Sequence, residues 1–235
     1  TGNQTGLLLT EYMLAALKEE GKLPGNGTVI KTIVTTDGVR NIADAYDIEV
    51  EEVLTGFKYI GEKMREYKET QEKTYIFGFE ESYGYLPGTY ARDKDAVAGC
   101  VFATEAAAHY TSQGITLFEA LDNIYKKYGY HNELQVSINL KGEAGLKMIK
   151  KIMDTIRDTN GKFTDEIPAV YTDILTGDII SYNTDGSIAS KQSCNLPSSN
   201  VLYFEYKDKW FCVRPSGTEP KIKIYFGGKS NSLDS

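Results

Sequence analysis

The sequence has little of what marks membrane, disulfide-rich or metal-binding proteins. Its apolar runs all fall short of the roughly 18 residues that a membrane-spanning helix needs, so no such helix is expected. Its three cysteines, Cys100, Cys194 and Cys212, lie far apart and form no Cys-x-x-Cys pair. This odd, scattered set argues against a disulfide or zinc framework and indicates reduced thiols in a cytoplasmic protein. Only two histidines occur, His109 and His131, and their separation argues against a histidine-based metal site.

A strongly basic surface is also absent. The chain of 235 residues carries 26 Lys and Arg against 33 Asp and Glu, a net charge of −7. Residues 1–133 hold 13 basic and 21 acidic side chains, and residues 134–235 hold 13 and 12. Neither part has the basic stripe that nucleic-acid binding requires. The composition, 41% hydrophobic and 25% charged, describes a soluble globular protein that is long enough for two domains.

Apolar periodicity predicts two domains of different type. In residues 1–133, helices are predicted over 7–17, 39–46, 57–67 and 95–112, and strands over 28–34, 48–54 and 74–77. Asp37 is predicted to be an N-cap. This alternation predicts an α/β domain, a parallel-type mixed sheet with covering helices. Residues 134–235 predict an α+β domain with an antiparallel sheet, built from a helix over 145–157 and strands over 134–140, 169–175, 178–182, 201–206, 209–213 and 221–226.

The most informative segment is Arg214-Pro215-Ser216-Gly217-Thr218-Glu219-Pro220, which lies between an apolar and an alternating run. That context predicts a tight loop between two strands. The loop combines a guanidinium, two hydroxyls and a glycine, which are groups that hold a phosphate. Each charge-assisted bond contributes about 1.5–3 kcal/mol, so three or four such bonds would make a selective site. The alternative is an ordinary hairpin turn, since Pro, Ser and Gly are common turn residues.

A second segment, residues 78–85, follows a predicted strand and is rich in carboxylate, hydroxyl and aromatic groups. Glu80 and Ser82 together offer acceptors and a donor, which suit the vicinal hydroxyls of a sugar. Glu80 is expected to be a loop carboxylate with few packing contacts. Thr55-Gly56 also follows a predicted strand, so both segments are expected at the same edge of the sheet. The alternative is an acidic surface loop that is merely solvated.

These segments, in this order and about 130 residues apart, resemble the α-D-phosphohexomutase superfamily, and most of all the bacterial phosphoglucomutase/phosphomannomutase enzymes. In that family Glu-x-Ser-x-Gly is the sugar-specificity loop of the third domain, and Arg-x-Ser-Gly-Thr is the phosphate loop of the fourth. Glu80-Glu81-Ser82-Tyr83-Gly84 and Arg214-Pro215-Ser216-Gly217-Thr218 match these patterns. Thr55-Gly56 resembles the family's Thr-Gly loop, and Arg92-Asp93-Lys94-Asp95 matches its Arg-x-Lys-Asp segment.

The resemblance implies a role for each matching residue. The phosphate that is not transferred would be held by Arg214, Ser216, Gly217 and Thr218. The sugar would be held by Thr55, Gly56, Glu80, Ser82, Arg92 and Lys94. Lys94 is also a candidate catalytic residue, through neutralisation of phosphate charge or assistance in proton transfer. Residues 1–133 would then be the third domain of a phosphohexomutase and residues 134–235 the fourth.

The resemblance also implies what this chain lacks. Family members carry a first domain with a phosphorylated serine in a Ser-His-Asn-Pro context and a second domain with an Asp-rich Mg²⁺ loop, and neither pattern occurs here. The chain is therefore expected to be the C-terminal half of an enzyme that interconverts hexose 1-phosphate and hexose 6-phosphate through a phosphoserine and a hexose 1,6-bisphosphate. Without the N-terminal half and its Mg²⁺, it is expected to be inactive.

Two other functions stay open from the sequence. One is a non-catalytic module that binds sugar phosphates, because the catalytic patterns are missing. The other is a nucleic-acid or protein-interaction domain, against which the acidic balance argues. Glucose, mannose, glucosamine and pentose phosphates are all compatible substrates. The segment from Glu80 to Gly84 resembles the phosphoglucomutase version more than the phosphoglucosamine one, which favours glucose and then mannose.

Overall fold

The computed structural model describes residues 1–217, 219–230 and 232. Residues Thr1–His131 form one compact unit, and residues Asn132–Lys229 form a second. Among the helices of the described residues, none combines the length and apolar character needed to cross a bilayer.

The first unit is a mixed sheet covered by helices. Its strands lie in the order β2-β1-β3-β4, with β1 parallel to both β2 and β3 and with β4 antiparallel to β3. The elements are α1 (Gly2–Glu19), β1 (Gly27–Thr32), α2 (Gly38–Asp44), β2 (Glu49–Val53), α3 (Phe57–Thr70), β3 (Thr74–Glu80), β4 (Gly84–Pro87), α4 (Ala96–Ser112) and α5 (Leu117–Tyr128). The predicted α/β class with a parallel-type mixed sheet is confirmed.

Local sequence explains where several helices begin. The Thr1 hydroxyl accepts a hydrogen bond from the Gln4 N–H in a capping box at the start of α1. Thr116 and Glu119 form the same motif at the start of α5. The Asp95 carboxylate accepts from two amides in the first turn of α4. Each cap satisfies amides that the helix itself leaves without a partner.

Apolar side chains cover both faces of β1. Val29 belongs to a core cluster that it shares with residues of α1, α4 and α5, and Ile30 belongs to a second cluster with Ile60 and Met64 of α3. Burial on both faces is typical of a central strand in an α/β sheet. All six residues of β1 are therefore buried, including Lys31.

Several details of this unit differ from the predicted elements. α1 begins at Gly2, before the predicted start at residue 7. β3 continues to Glu80, beyond its predicted end at Phe77. β4 was not predicted, because a four-residue strand ending at Pro87 is too short for a clear alternation. α5 was also missed. Asp37 occupies the N-cap position of α2 but makes no capping bond, because its carboxylate pairs with Lys31 and Arg40.

The second unit is an antiparallel sheet with one long helix. Its seven strands lie in the order β5-β11-β10-β9-β6-β7-β8, and neighbours from β11 to β8 pair antiparallel. The elements are β5 (Tyr130–Asn139), α6 (Gly142–Asp158), β6 (Val170–Asp173), β7 (Asp178–Tyr182), β8 (Ile188–Ser193), β9 (Leu202–Glu205), β10 (Lys209–Pro215) and β11 (Lys221–Ser230). The predicted α+β class is confirmed, although β8 was missed.

A buried ion pair connects α6 to the sheet beneath it. Nε of Arg157 lies 2.8 Å from Oδ2 of Asp173, and the two side chains are 16% and 6% exposed. Asp173 also accepts from the Leu175 N–H at 3.1 Å, and Arg157 donates to Asn200. Both charges are thus satisfied within the unit, which is the condition for burying them.

Replacing Asp173 by alanine would leave the guanidinium of Arg157 buried without its counter-charge. We expect the second unit to lose about 3–5 kcal/mol of unfolding free energy. Urea unfolding followed by the fluorescence of Trp210, the single tryptophan, measures this unit directly. The control is Glu143→Ala, which breaks an exposed pair with Lys147 and should change little. A loss no larger than that of the control would contradict the prediction.

A second ion cluster links β2, α3 and Lys73, the residue that precedes β3. The Glu51 carboxylate lies 2.8 Å from Nζ of Lys63 and 2.9 Å from Nζ of Lys73, and it accepts from the Tyr67 hydroxyl. Burial by itself would raise the pKa of Glu51, but the hydrogen bonds from Lys63, Tyr67 and Lys73 outweigh it and lower the pKa to about 2. Burial and the neighbouring Glu51 carboxylate both raise the pKa of the Tyr67 phenol.

This depressed pKa predicts a pH dependence of stability. Because the folded pKa of Glu51 lies below its ordinary value of 4.5, its charge stabilises the folded chain above pH 4.5, and that contribution is lost as the pH falls toward 2. The unfolding free energy of Glu51→Gln should therefore decline less across this range than that of the native chain. Urea titrations followed by circular dichroism at several pH values measure it. Glu69→Gln, at an exposed position, should retain the native dependence; parallel curves for Glu51→Gln and the native chain would count against the assignment.

Candidate functional site

Three loops gather at one edge of the first unit's sheet. β1, β2 and β3 run parallel, so the segments that follow their carboxyl ends are neighbours. Residues 33–37 follow β1, Thr55-Gly56 follows β2, and the turn over residues 81–83 follows β3. In α/β sheets this edge is where ligands bind, because side chains and loop amides converge there.

The Glu80 carboxylate connects two of these segments. Glu80 is the last residue of β3, and its side chain is 6% exposed. The expectation that Glu80 is a loop carboxylate with few packing contacts is therefore wrong. Oε1 of Glu80 accepts from the Gly56 N–H at 2.8 Å, and its Oε2 lies 3.4 Å from Nζ of Lys94. A buried carboxylate requires such partners because removing its charge from water is costly. Lys94 is 52% exposed, so its ammonium can also reach a ligand.

Two glycines permit this arrangement. Gly56 precedes α3 with a φ of +118°, a backbone conformation that other residues rarely adopt. At Gly84 a Cβ would lie 2.9 Å from Cδ of Lys94 and 3.2 Å from Oε2 of Glu80. A side chain at Gly84 would therefore displace the ammonium or the carboxylate, and one at Gly56 would strain the amide that Glu80 binds.

The other three predicted sugar-binding residues are Ser82, Arg92 and Thr55. Ser82 is exposed in the turn between β3 and β4. The Arg92 guanidinium donates to the carbonyls of Thr89 and Ala91, at 2.8 and 3.0 Å, and so holds its own loop. Thr55, which precedes Gly56, is half-buried. The structure thus brings Gly56, Glu80 and Lys94 together.

The sequence analysis missed an ion network beside these loops. Lys31 is fully buried, and its Nζ lies 2.5 Å from Oε2 of Glu52, 3.0 Å from Oδ1 of Asp37 and 3.1 Å from the Thr35 carbonyl. Arg40 contacts the same two carboxylates at 2.9 and 3.3 Å. Burial alone would raise the pKa of Asp37, but Lys31 and Arg40 outweigh it and lower that pKa.

This network connects two segments at the sheet edge, and one residue of the sequence could have indicated it. Lys31 donates to the Thr35 carbonyl in the loop after β1 and to the Glu52 carboxylate in β2. It therefore connects that loop to the strand that leads into Thr55-Gly56. The signal is a lysine inside the strand-forming run over residues 28–34. An ammonium in such a run must find paired charges, because an isolated buried charge is too costly.

The second unit places the predicted phosphate segment at the turn from β10 to β11. Arg214 lies within β10 and pairs in register with Lys223 of β11, so it is a strand residue and not a loop residue. The Ser216 N–H donates to the Lys221 carbonyl at 2.8 Å and closes the turn. Gly217 is exposed, with open space where a Cβ would be. Thr218 lies outside the described residues.

Positive charge is concentrated at this turn. The register places Arg214 and Lys223 directly opposite each other, and Lys221 pairs with Glu219 in the turn. Like charges opposite each other in a ladder repel, and an anion beside them relieves that repulsion. The hydrogen bond from Lys221 lowers the pKa of the Glu219 carboxyl.

Comparison with known families identifies both units. Residues 1–128 match the family described as phosphoglucomutase/phosphomannomutase, alpha/beta/alpha domain III, and residues 140–234 match the C-terminal domain of the same family. The chain therefore belongs to the phosphoglucomutase/phosphomannomutase family, which confirms the resemblance seen in the sequence motifs.

Individual relatives agree with this assignment. The chain is 31% identical over 242 residues to a phosphoglucomutase of Staphylococcus saprophyticus and 33% identical over 234 residues to one of Staphylococcus aureus. Both alignments include 99% of this chain and 41% of the relative, so the chain spans about two fifths of the length of these curated relatives. The open form of parafusin, a phosphoglucomutase from Paramecium, shares the fold with a TM-score of 0.62 at 16% identity, over 99% of this chain and 37% of that one.

The Glu80–Gly56 contact predicts a local effect that hydrogen exchange can detect. Glu80→Ala removes the acceptor of the Gly56 N–H, which should destabilise the loop by about 1–3 kcal/mol and speed exchange of that amide. Glu80→Gln retains an acceptor oxygen and should preserve most of the protection. Amide exchange measured by NMR gives both values. Glu62→Ala, at an exposed position of α3, is the control; equal protection of Gly56 in all variants would exclude the contact.

Proposed function

We propose that the intact protein is a phosphohexomutase that interconverts a hexose 1-phosphate and a hexose 6-phosphate, with glucose as the favoured sugar and mannose as the next candidate. The observation that carries this proposal is the contact of Glu80 with both the Gly56 amide and the Lys94 ammonium. An acceptor and two donors thereby converge at the ligand-binding edge of the sheet. Vicinal sugar hydroxyls, each a donor and an acceptor, require such a mixture.

The first unit would bind the sugar. In this proposal Glu80 accepts hydrogen bonds from sugar hydroxyls, and Thr55, Gly56 and Ser82 contribute polar groups around it. Arg92 and Lys94 add positive charge. Because Lys94 is half exposed, it can neutralise phosphate charge or assist proton transfer at the sugar. We assign residues 1–133 to the third domain of the enzyme and residues 134–235 to the fourth.

The second unit would bind the phosphate that is not transferred. Arg214 offers a planar, bidentate fork for phosphate oxygens, and lysine cannot reproduce that geometry. Ser216, Gly217 and Thr218 would supply hydroxyl and amide donors to the remaining oxygens. The pairing of Arg214 with Lys223 across the ladder supports this assignment, because it concentrates positive charge where the phosphate would lie.

The transfer of the phosphoryl group needs residues beyond this chain. Across residues 1–217, 219–230 and 232, no three His, Cys, Asp or Glu side chains are grouped to hold a metal ion, so these residues do not fit the Mg²⁺ that the family resemblance implies. We assign that metal and the phosphoserine to the N-terminal half of the enzyme, and we propose a hexose 1,6-bisphosphate as the intermediate. This chain alone would bind the sugar phosphate without turnover.

NMR titrations of the ¹⁵N-labelled chain test the two binding roles. We expect inorganic phosphate to shift the amides of Ser216 and Gly217, and glucose 6-phosphate to shift these and the Gly56 amide as well. Arg214→Ala should weaken phosphate binding about tenfold or more, since a charge-assisted bond contributes about 1.5–3 kcal/mol and about 1.4 kcal/mol corresponds to tenfold. Arg214→Lys should recover little of it.

Lys191→Ala, which removes an exposed cation from β8, is the matched control and should leave phosphate binding unchanged. Phosphate shifts that appear only elsewhere, or that persist in Arg214→Ala, would refute the assignment of the phosphate site. The non-catalytic alternative makes the same binding prediction and differs in turnover. Full-length protein that binds glucose 6-phosphate in this way, but does not convert glucose 1-phosphate in the presence of Mg²⁺, would establish the alternative.

A further inference from the structure

A cavity of about 980 Å³ lies in the first unit, at the opposite end of β3 from the candidate site. Thr74, Tyr75 and Ile76, the first three residues of β3, line this cavity, whereas Glu80 is the last residue of the strand. The distance from Thr74 to Glu80 is roughly 20 Å along an extended strand. The cavity is therefore separate from the residues that the proposed reaction uses.

The cavity lies beside a strand that continues past the end of its neighbour. β3 has β1 on one side and β4 on the other, and the register pairs β4 with Phe77 to Glu80. Residues 74–76 of β3 thus extend beyond Pro87, the last residue of β4. A strand edge that extends past its neighbour is a template on which another strand can pair. The cavity is where such an added strand would lie.

Two helices provide apolar walls beside this edge. Val97 and Val101 of α4 both line the cavity, and they are 75% and 62% exposed. Because they are four positions apart, they lie on the same face of the helix. Met13 and Leu17 of α1 have the same spacing and also line the cavity. Alternate side chains of an extended segment would point toward these walls, since side chains alternate between the two faces of a strand.

The lining also carries negative charge. Its charged residues are three carboxylates and one ammonium, namely Glu20, Asp95, Glu105 and Lys22. Nζ of Lys22 lies 2.7 Å from Oε2 of Glu20. Asp95 accepts hydrogen bonds from two amides of α4 and from the Tyr90 hydroxyl, and Glu105 accepts one from the Tyr12 hydroxyl. These last donors are neutral, so both charges remain and favour a basic ligand.

We propose that this cavity binds an extended segment of a partner protein, which pairs with residues 74–76 as an added strand. The segment would carry apolar side chains at alternate positions and a lysine or arginine at its ends. Main-chain hydrogen bonds to β3 would provide affinity, and the apolar walls and the negative lining would select the side chains. The surface lies apart from Gly56, Glu80 and Lys94, so the proposal does not rest on the function proposed above.

A fluorescein-labelled heptapeptide, Lys-Val-Thr-Val-Thr-Val-Lys, tests the proposal by fluorescence anisotropy. We expect saturable binding to the 235-residue chain, together with slower hydrogen exchange of amides within residues 74–76, measured by NMR. Replacing the central Val-Thr pair of the peptide by two prolines should abolish binding. Successive N–H groups of a strand point to opposite sides, so one of the two prolines removes a donor to β3. A peptide with glutamate in place of both lysines should bind more weakly.

Variants of the chain test the walls and the charge separately. Val97→Ser combined with Val101→Ser should weaken binding of the lysine peptide roughly tenfold or more, because apolar contact is lost. Glu105→Lys should weaken binding of the lysine peptide and strengthen binding of the glutamate peptide. All three positions are exposed, and thermal melting verifies that each variant is folded. The matched controls are Phe118→Ser on α5 and Glu62→Lys on α3, both exposed outside the cavity, which should change neither affinity.

The same titrations on the full-length protein distinguish a partner segment from other occupants. Equal binding of the lysine peptide to the full-length protein, with the same effects of the variants, supports the proposal. Full-length protein that does not bind this peptide would show that the rest of the enzyme covers the cavity, and would overturn it. A dimer in sedimentation experiments that the double valine variant dissociates would assign the cavity to a second copy instead. The proposal also fails if all three peptides bind equally, or if residues 74–76 gain no protection.

Discussion

The sheet edge at which the three loops of the first unit gather depends on one buried ammonium group. Lys31 has no exposed surface, and its charge is acceptable there only because Glu52, Asp37 and two main-chain carbonyls surround it. β1 lies between β2 and β3, so these partners have to come from the adjoining strand and from the loop at the end of β1. The interactions that neutralise Lys31 therefore also hold in place that loop and the end of β2, which leads into Thr55-Gly56.

The two units differ in the chemistry that they present. The first offers a carboxylate, an amide and an ammonium in contact with one another, which suits hydroxyl groups. The second places two basic residues, Arg214 and Lys223, opposite each other in its sheet. Both units nevertheless belong to domains of one family.

Much of the fold could be predicted from local patterns. The alternation of strands and helices over residues 1–133 and the antiparallel pattern after it both correspond to the observed sheets. Two of the elements that were missed are short or exposed: β4 has four residues and ends at Pro87, and β8 is almost wholly exposed. The third, α5, was missed although the capping box of Thr116 and Glu119 is a local signal for its start. Asp37 shows a different limit. Its position before α2 fits an N-cap, but the buried Lys31 forms an ion pair with the same carboxylate. The ion pair forms in place of the cap because an unpaired buried charge costs more free energy than an unfilled cap.

The sequence by itself determined the family, the class of both domains and the segments that carry polar groups, because motifs and periodicity are properties of neighbouring residues. It also predicted that Thr55-Gly56 and the segment that contains Glu80 lie at the same edge of the sheet. Only the tertiary structure decided that Glu80 is buried against the Gly56 amide and Lys94, that Arg214 is a strand residue facing Lys223, and that Lys31 is enclosed by Glu52 and Asp37. These contacts join residues that are not neighbours in the sequence, and their existence depends on strand register and on the cost of burying charge, neither of which a local pattern contains.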